Sequence, residues 1–211
     1  MKTIMQVLFL LPFLQLLIIS IPCISIDPTQ LVYDVEGKEI TSDFDHYVLP
    51  ANRGNGGGLT YVPSGLRCLN FVAQESNSTL FGKPLVLTPL KASANFSIHL
   101  SSDVFIEFNE FNTFCTKRVD WHITNRLPES SPAQHQHVAA GNEDGVKSFG
   151  VFRIEKHDAN MVGYKLVSCV GKTPCRDQGL FAYKDKTWLT ISDNPFMVVF
   201  KKAHSFVSSL A

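Results

Sequence analysis

The side chains best equipped for covalent or metal chemistry are the cysteines. Five occur in the 211 residues. Cys23 lies in an apolar leader, leaving Cys68, Cys115, Cys169 and Cys175 beyond it. Their spacings do not fit a zinc site, and a thiol nucleophile needs surroundings that keep it reduced. An even number behind a secretory leader reads as disulfides. Three pairings are open. Local closure favours Cys169–Cys175, which leaves Cys68–Cys115. In the chain-entropy account the long bridge gives about 4 kcal/mol and the short one about 2 kcal/mol. The short bridge closes a tight turn with Gly171, Lys172 and Thr173 at its tip, ahead of Pro174. A rigid turn with a central basic residue has what a protease-substrate mimic needs.

Other reactive residue types form no working set. His135 and His137 stand two apart in a polar stretch, a weak basis for a metal site. No Gly-x-Ser-x-Gly elbow accompanies the serines and histidines. Glu107 and Glu110 sit on or near a strand with nothing to make them an acid/base pair. Trp121 and Trp188 read as core aromatics. No cofactor is implied. Two sequons, Asn77-Ser78-Thr79 and Asn95-Phe96-Ser97, are candidate glycosylation sites.

The leader itself is Met1-Lys2-Thr3 followed by an uncharged run over residues 4–26. A positive start, an apolar run and a small residue before the cut make a signal peptide, residues 1–25, cleaved after Ser25. The run is also long enough to span a bilayer as an anchor, but Pro12, Pro22 and Pro28 punctuate it and its far end. The expected mature chain, residues 26–211, fits one domain and is long enough for a real core. The whole chain balances 19 basic against 19 acidic residues. With no basic cluster, nucleic acid is not an expected partner. No membrane is expected once the signal is removed.

Short apolar or alternating runs separated by turn residues recur along the mature chain. They cover residues 31–35, 46–49, 59–62, 69–74, 85–87, 96–100, 104–108, 120–123, 150–156, 164–170, 187–191 and 196–201. Evenly spaced strands of this kind, rich in Val, Ile, Phe and Tyr, point to an all-β sandwich or barrel. Residues 53–58, with four glycines, and residues 127–137, with two prolines, read as loops. An internal repeat is faint: residues 104–108 look like residues 151–155.

The opening Val32-Tyr33-Asp34-Val35-Glu36-Gly37-Lys38 with Tyr47-Val48-Leu49 resembles the N-terminal signature of the plant Kunitz-type family of soybean trypsin inhibitor. Further anchors follow in the family's order: Arg67-Cys68, Val72-Ala73-Gln74, Phe105-Ile106-Glu107-Phe108, Cys115, Trp121-His122-Ile123, Phe152-Arg153-Ile154-Glu155, Tyr164 to Cys169, and Pro195 to Phe200. The resemblance spans essentially the whole mature chain. It implies a β-trefoil of twelve strands, with two disulfides pairing first cysteine with second and third with fourth.

It also implies a protruding inhibitory loop between the first two cysteines. The matching segment is Leu87-Thr88-Pro89-Leu90-Lys91-Ala92-Ser93. Lys91 falls at the residue that fills the protease's primary pocket, and Ala92 follows the scissile bond, with Thr88, Pro89 and Leu90 flanking. An ammonium on a flexible stem can reach and neutralise the carboxylate at the base of a trypsin-like pocket. Pro89 narrows the backbone's freedom and so lowers the entropy lost on binding. Family inhibitors often hold this loop with an N-terminal Asn, where this chain has Ser42. His46 stands where the signature has Tyr, and Asn95 lies four residues past Lys91.

The expectation is a secreted, apoplastic or vacuolar, monomeric inhibitor that is not an enzyme. It would bind one serine protease in a reversible, substrate-like 1:1 complex, through Lys91 or alternatively through Lys172. The alternatives are a non-inhibitory trefoil that serves for storage or binds carbohydrate or protein, and an inhibitor of another protease class such as serine carboxypeptidases or cysteine proteases.

Overall fold

In the computed structural model the described residues are 30–52, 54, 56–64, 69–91, 96–109, 119–128, 135–143, 146–147, 150–157, 162–169 and 174–203. They contain thirteen strands and no helix. The strands are β1 His46–Pro50, β2 Leu59–Pro63, β3 Leu69–Gln74, β4 Leu85–Pro89, β5 Val104–Phe108, β6 Val119–Thr124, β7 His137–Glu143, β8 Val146–Lys147, β9 Val151–Glu155, β10 Lys165–Cys169, β11 Arg176–Tyr183, β12 Lys186–Ile191 and β13 Val198–Lys202. Twelve have five residues or more; the thirteenth, β8, is a two-residue partner of β7.

Pairing sorts those twelve into three consecutive groups of four. The outer strands of each group, β1 and β4, β5 and β9, β10 and β13, form one antiparallel ring. It runs β1–β4–β5–β9–β10. The ring closes through a bridge from Tyr164 to Val198 and the β13–β1 ladder. Closure leaves no free sheet edge in this layer. The inner strands form three hairpins, β2–β3, β6–β7 and β11–β12. These join across the cap through β3–β7, β12–β3 and β12–β7. A six-stranded barrel capped by three hairpins is the β-trefoil plan.

Alternation along the barrel strands fills the interior. Val104, Ile106 and Phe108 of β5, Leu85 and Leu87 of β4, and Phe152 and Ile154 of β9 are at most 1 % exposed. Trp121 from the cap closes over them, its ring 5.3 Å from Phe108 and 6.1 Å from Phe152. A second apolar cluster, Leu69, Phe71, Ala73, Ala139 and Trp188, lies in the cap. β3, paired to β2, β7 and β12, is buried along all six residues.

Several expectations change. Residues 31–35 and 96–100 are not strands. They meet at a single isolated bridge, Leu31 to His99, and residues 96–100 make another with Thr41 through Ser97. β7 and β11 have no counterpart among the expected runs. His137 opens β7 and is fully buried, so the stretch that begins at residue 127 does not remain a surface connection to its end. The likeness of residues 104–108 to 151–155 is not a symmetry repeat. β5 and β9 are neighbouring strands of one group, paired at Val104–Phe152, and share a pattern because they face the same core. In the glycine-rich loop, Gly57 and Gly58 are buried and hydrogen-bond Glu75 and Leu80 (2.7 and 2.9 Å), an approach at which a side chain at Gly58 would meet the backbone of Phe81.

The expected signal peptide, Cys68, Cys115, Ala92, Asn95, Gly171, Lys172 and Thr173 lie outside the described residues.

Candidate functional site

β4 delivers the candidate loop. It alternates inward Leu85 and Leu87 with outward Val86 and Thr88, and ends at Pro89 opposite Val104. Beyond Pro89 the chain leaves the sheet, but one bond still holds it: the Leu90 amide donates to the Asp103 carbonyl at 2.8 Å. Leu90 is 46 % exposed, and Lys91 after it is exposed as well.

The returning limb lies against the N-terminal segment. The Ser42 amide donates to the Phe96 carbonyl at 3.0 Å, the Ile98 amide to Ile40 at 2.9 Å, and the Val32 amide to Ile98 at 2.9 Å. Phe96 is 51 % exposed and has a φ of +54°, in the left-handed region that side chains rarely adopt. The chain next turns at Ser101, φ +57°, whose amide donates to Ile154 of β9, and reaches Asp103 just before β5. The limb's own register thus comes from Ile40 and Val32, both fully buried, while Phe96 at its start is exposed. Ser42 meets the loop through its backbone amide, whereas the Asn it replaces in the family pattern would act through its side chain.

Beneath the loop base a groove of about 250 Å³ is lined by Pro89, Lys91, Ser97, His99, Asp103 and Arg153 among others. Across it Arg153 Nε stands 2.6 Å from Asp103 Oδ1, each side chain about one-third exposed. Sequence reasoning gave Asp103 and His99 no role and met Arg153 only inside the anchor Phe152-Arg153-Ile154-Glu155. A lone Asp before a strand and an Arg within one carry no signal until pairing brings β9 beside β5.

The alternative loop has a firm base. Cys169 and Cys175 are disulfide-bonded, with Cα atoms 4.3 Å apart. Lys165 at the start of β10 reaches Asp177 at 2.8 Å and Glu155 at 3.8 Å. One row of cross-strand partners, Pro89–Val104–Phe152–Ser168–Arg176, links the two loop bases around the barrel.

The remaining expected residues separate. Asn77 is exposed, and its Oδ1 accepts from the Thr79 amide at 3.0 Å and hydroxyl at 2.9 Å. His135 packs at a tilt against Phe181, ring centroids 4.1 Å apart, while His137 meets Phe71 edge to face at 5.9 Å, so the two rings serve different packing contacts. His137 is held down at a pKa of about 4, chiefly because burial disfavours its charged form. Burial likewise lowers His46, which is 1 % exposed in β1. Trp121 and Trp188 are both buried, the first over the barrel and the second in the cap. Among the described residues no group of three or more His, Cys, Asp or Glu is placed to hold a metal ion.

The legume Kunitz family model, described as trypsin and protease inhibitor, matches residues 32–202. The chain is 39 % identical over 196 residues to an α-amylase/subtilisin inhibitor of Oryza sativa subsp. japonica, covering 90 % of this chain and 92 % of that one. It is 31 % identical over 186 residues to Kunitz trypsin inhibitor 5 of Arabidopsis thaliana, covering 82 % and 86 %. The solved structure of the rice bifunctional α-amylase/subtilisin inhibitor superposes with a TM-score of 0.65 at 36 % identity, over 82 % of this chain and 99 % of that one.

Proposed function

The chain belongs to the legume Kunitz family of trypsin and protease inhibitors, which bind enzymes rather than act as enzymes, and on that footing we propose that it is a reversible, substrate-like inhibitor of a trypsin-like serine protease, with Lys91 entering the primary pocket. One observation carries this reading. Lys91 is exposed two residues past the end of a barrel strand, while backbone bonds fix the chain on either side of it, at Leu90 and at Phe96. A chain anchored on both sides of a loop loses less entropy when a protease binds that loop. The buried carboxylate of a trypsin-like pocket would gain a partner in the lysine ammonium.

The reading includes secretion after loss of residues 1–25, a second disulfide between Cys68 and Cys115, glycans at Asn77 and Asn95, and a 1:1 complex formed by a monomer. Its test is to incubate the secreted, disulfide-intact protein with catalytic trypsin and map new chain ends by mass spectrometry. A slow single cut between Lys91 and Ala92 is the expected result. A cut confined to Lys172–Thr173 transfers the role to the disulfide-closed loop.

A second reading concerns the target. Identity is higher to the rice α-amylase/subtilisin inhibitor, 39 %, than to the Arabidopsis trypsin inhibitor, 31 %. That difference favours a subtilisin-type protease or an α-amylase as target or co-target. Subtilisin and α-amylase belong beside trypsin in the same inhibition panel.

A further inference from the structure

We propose that Arg153 and Asp103 form a brace that keeps the Lys91 side of the loop in place, so that a cut at Lys91–Ala92 is resealed rather than lost. The inference rests on Lys91–Ala92 being the reactive bond.

The two sides of that bond are held differently. On the Ala92 side the returning limb is tied to the N-terminal segment by successive backbone bonds from Ser42, Ile98 and Val32. On the Lys91 side the bond beyond β4 is Leu90 to the Asp103 carbonyl, 2.8 Å. Asp103 is therefore the point on which the Lys91 limb rests. It follows the left-handed turn at Ser101 and is not part of β5. Its carboxylate is fixed by Arg153 at 2.6 Å. Arg153 stands in β9 between Phe152 and Ile154, both fully buried in the barrel. Position is thus passed from the barrel core to Arg153, to Asp103, and through its carbonyl to Leu90. A planar guanidinium with several fixed donors suits such a role better than a mobile ammonium.

Hydrolysis adds one water across the amide, leaving a carboxylate on Lys91 and an ammonium on Ala92. Resynthesis expels that water and needs both ends within reach of each other. With the Lys91 limb braced, its new carboxylate keeps the position that hydrolysis left it in. Without the brace that end swings free and the cleaved form accumulates.

The test compares Arg153→Met and Asp103→Asn with wild type as full-length secreted proteins with disulfides intact. The first readout is amide hydrogen exchange at Leu90 in the free protein, which involves no protease. The second is the equilibrium ratio of cleaved to intact chain under catalytic trypsin. A partly exposed ion pair supports an effect of up to about fivefold. Leu90 exchange is expected to accelerate by about that factor while Leu87 in β4 is unchanged, and the cleaved fraction to rise in parallel. Wild-type exchange at Leu90 in both variants overturns the brace, as does faster exchange with an unchanged cleaved-to-intact ratio. If wild type is neither inhibitory nor cut at Lys91–Ala92, the reactive-bond reading fails and takes the resealing role with it. The exchange arm then reports separately whether Arg153 holds Leu90.

Discussion

Acidification should weaken this fold through His137. The imidazole opens β7 opposite Thr190, is fully buried, and lies against the edge of Phe71. Desolvation is the main cause of its fall from 6.5 to about 4, with the neighbouring His135 charge adding to it and the polar His135 backbone opposing it. A histidine with a depressed folded pKa gives its full stability above the unfolded value. Below pH 6.5 the unfolded chain takes up the proton while the folded chain refuses it, so stability falls as pH drops towards 4. Two and a half pKa units correspond to about 3 kcal/mol in all, of which about 2 kcal/mol is already lost at pH 5. His46 is shifted the same way, so the comparison must isolate His137. His137→Leu removes the titration and keeps an apolar side chain against Phe71. In urea unfolding at pH 7.5 and pH 5, wild type should lose about 2 kcal/mol more than this variant. Equal losses in the two proteins would refute the assignment of the shift to His137.

Other outcomes follow from the same geometry. Replacing Cys169 and Cys175 together by serine opens a ring of sequence separation 6 and should cost about 2 kcal/mol, read by thermal or urea unfolding. The β10–β11 ladder and the Lys165–Asp177 pair should keep the barrel folded. Ser42→Ala should leave protease inhibition within about twofold, because the structural bond from residue 42 to Phe96 is made by the backbone amide and surface substitutions away from special contacts change little. A tenfold or greater loss in the inhibition constant would show that the hydroxyl carries the support.

The barrel was the legible part of the sequence. Residues 85–87, 104–108 and 150–156 stand out as short runs dense in Leu, Val, Ile and Phe, because each of these strands packs one face into the core. The cap strands obey a weaker rule. β7 begins His137-Val138-Ala139-Ala140-Gly141, small residues that let three strands approach one another. β11 buries Gln178 and Gly179, which no apolar pattern marks. Residues 31–35 and 96–100 have strand-like composition, yet each meets its neighbour only through isolated bridges. At the candidate site, Lys91, Pro89 and Ser42 were named because family motifs set their register. The pairing of Asp103 with Arg153 was not, although Arg153 stands in a family anchor, because the two are 50 residues apart and meet only after β5 and β9 close the barrel.

The most direct measurement is the equilibrium inhibition of trypsin by wild type and by Lys91→Ala, with subtilisin as a parallel target. The account predicts tight inhibition of trypsin by wild type. It predicts a loss of about a hundredfold or more on removing the lysine, since the trypsin carboxylate would then be buried without a partner. Unchanged inhibition by Lys91→Ala, or a folded wild type that leaves trypsin untouched, would contradict it.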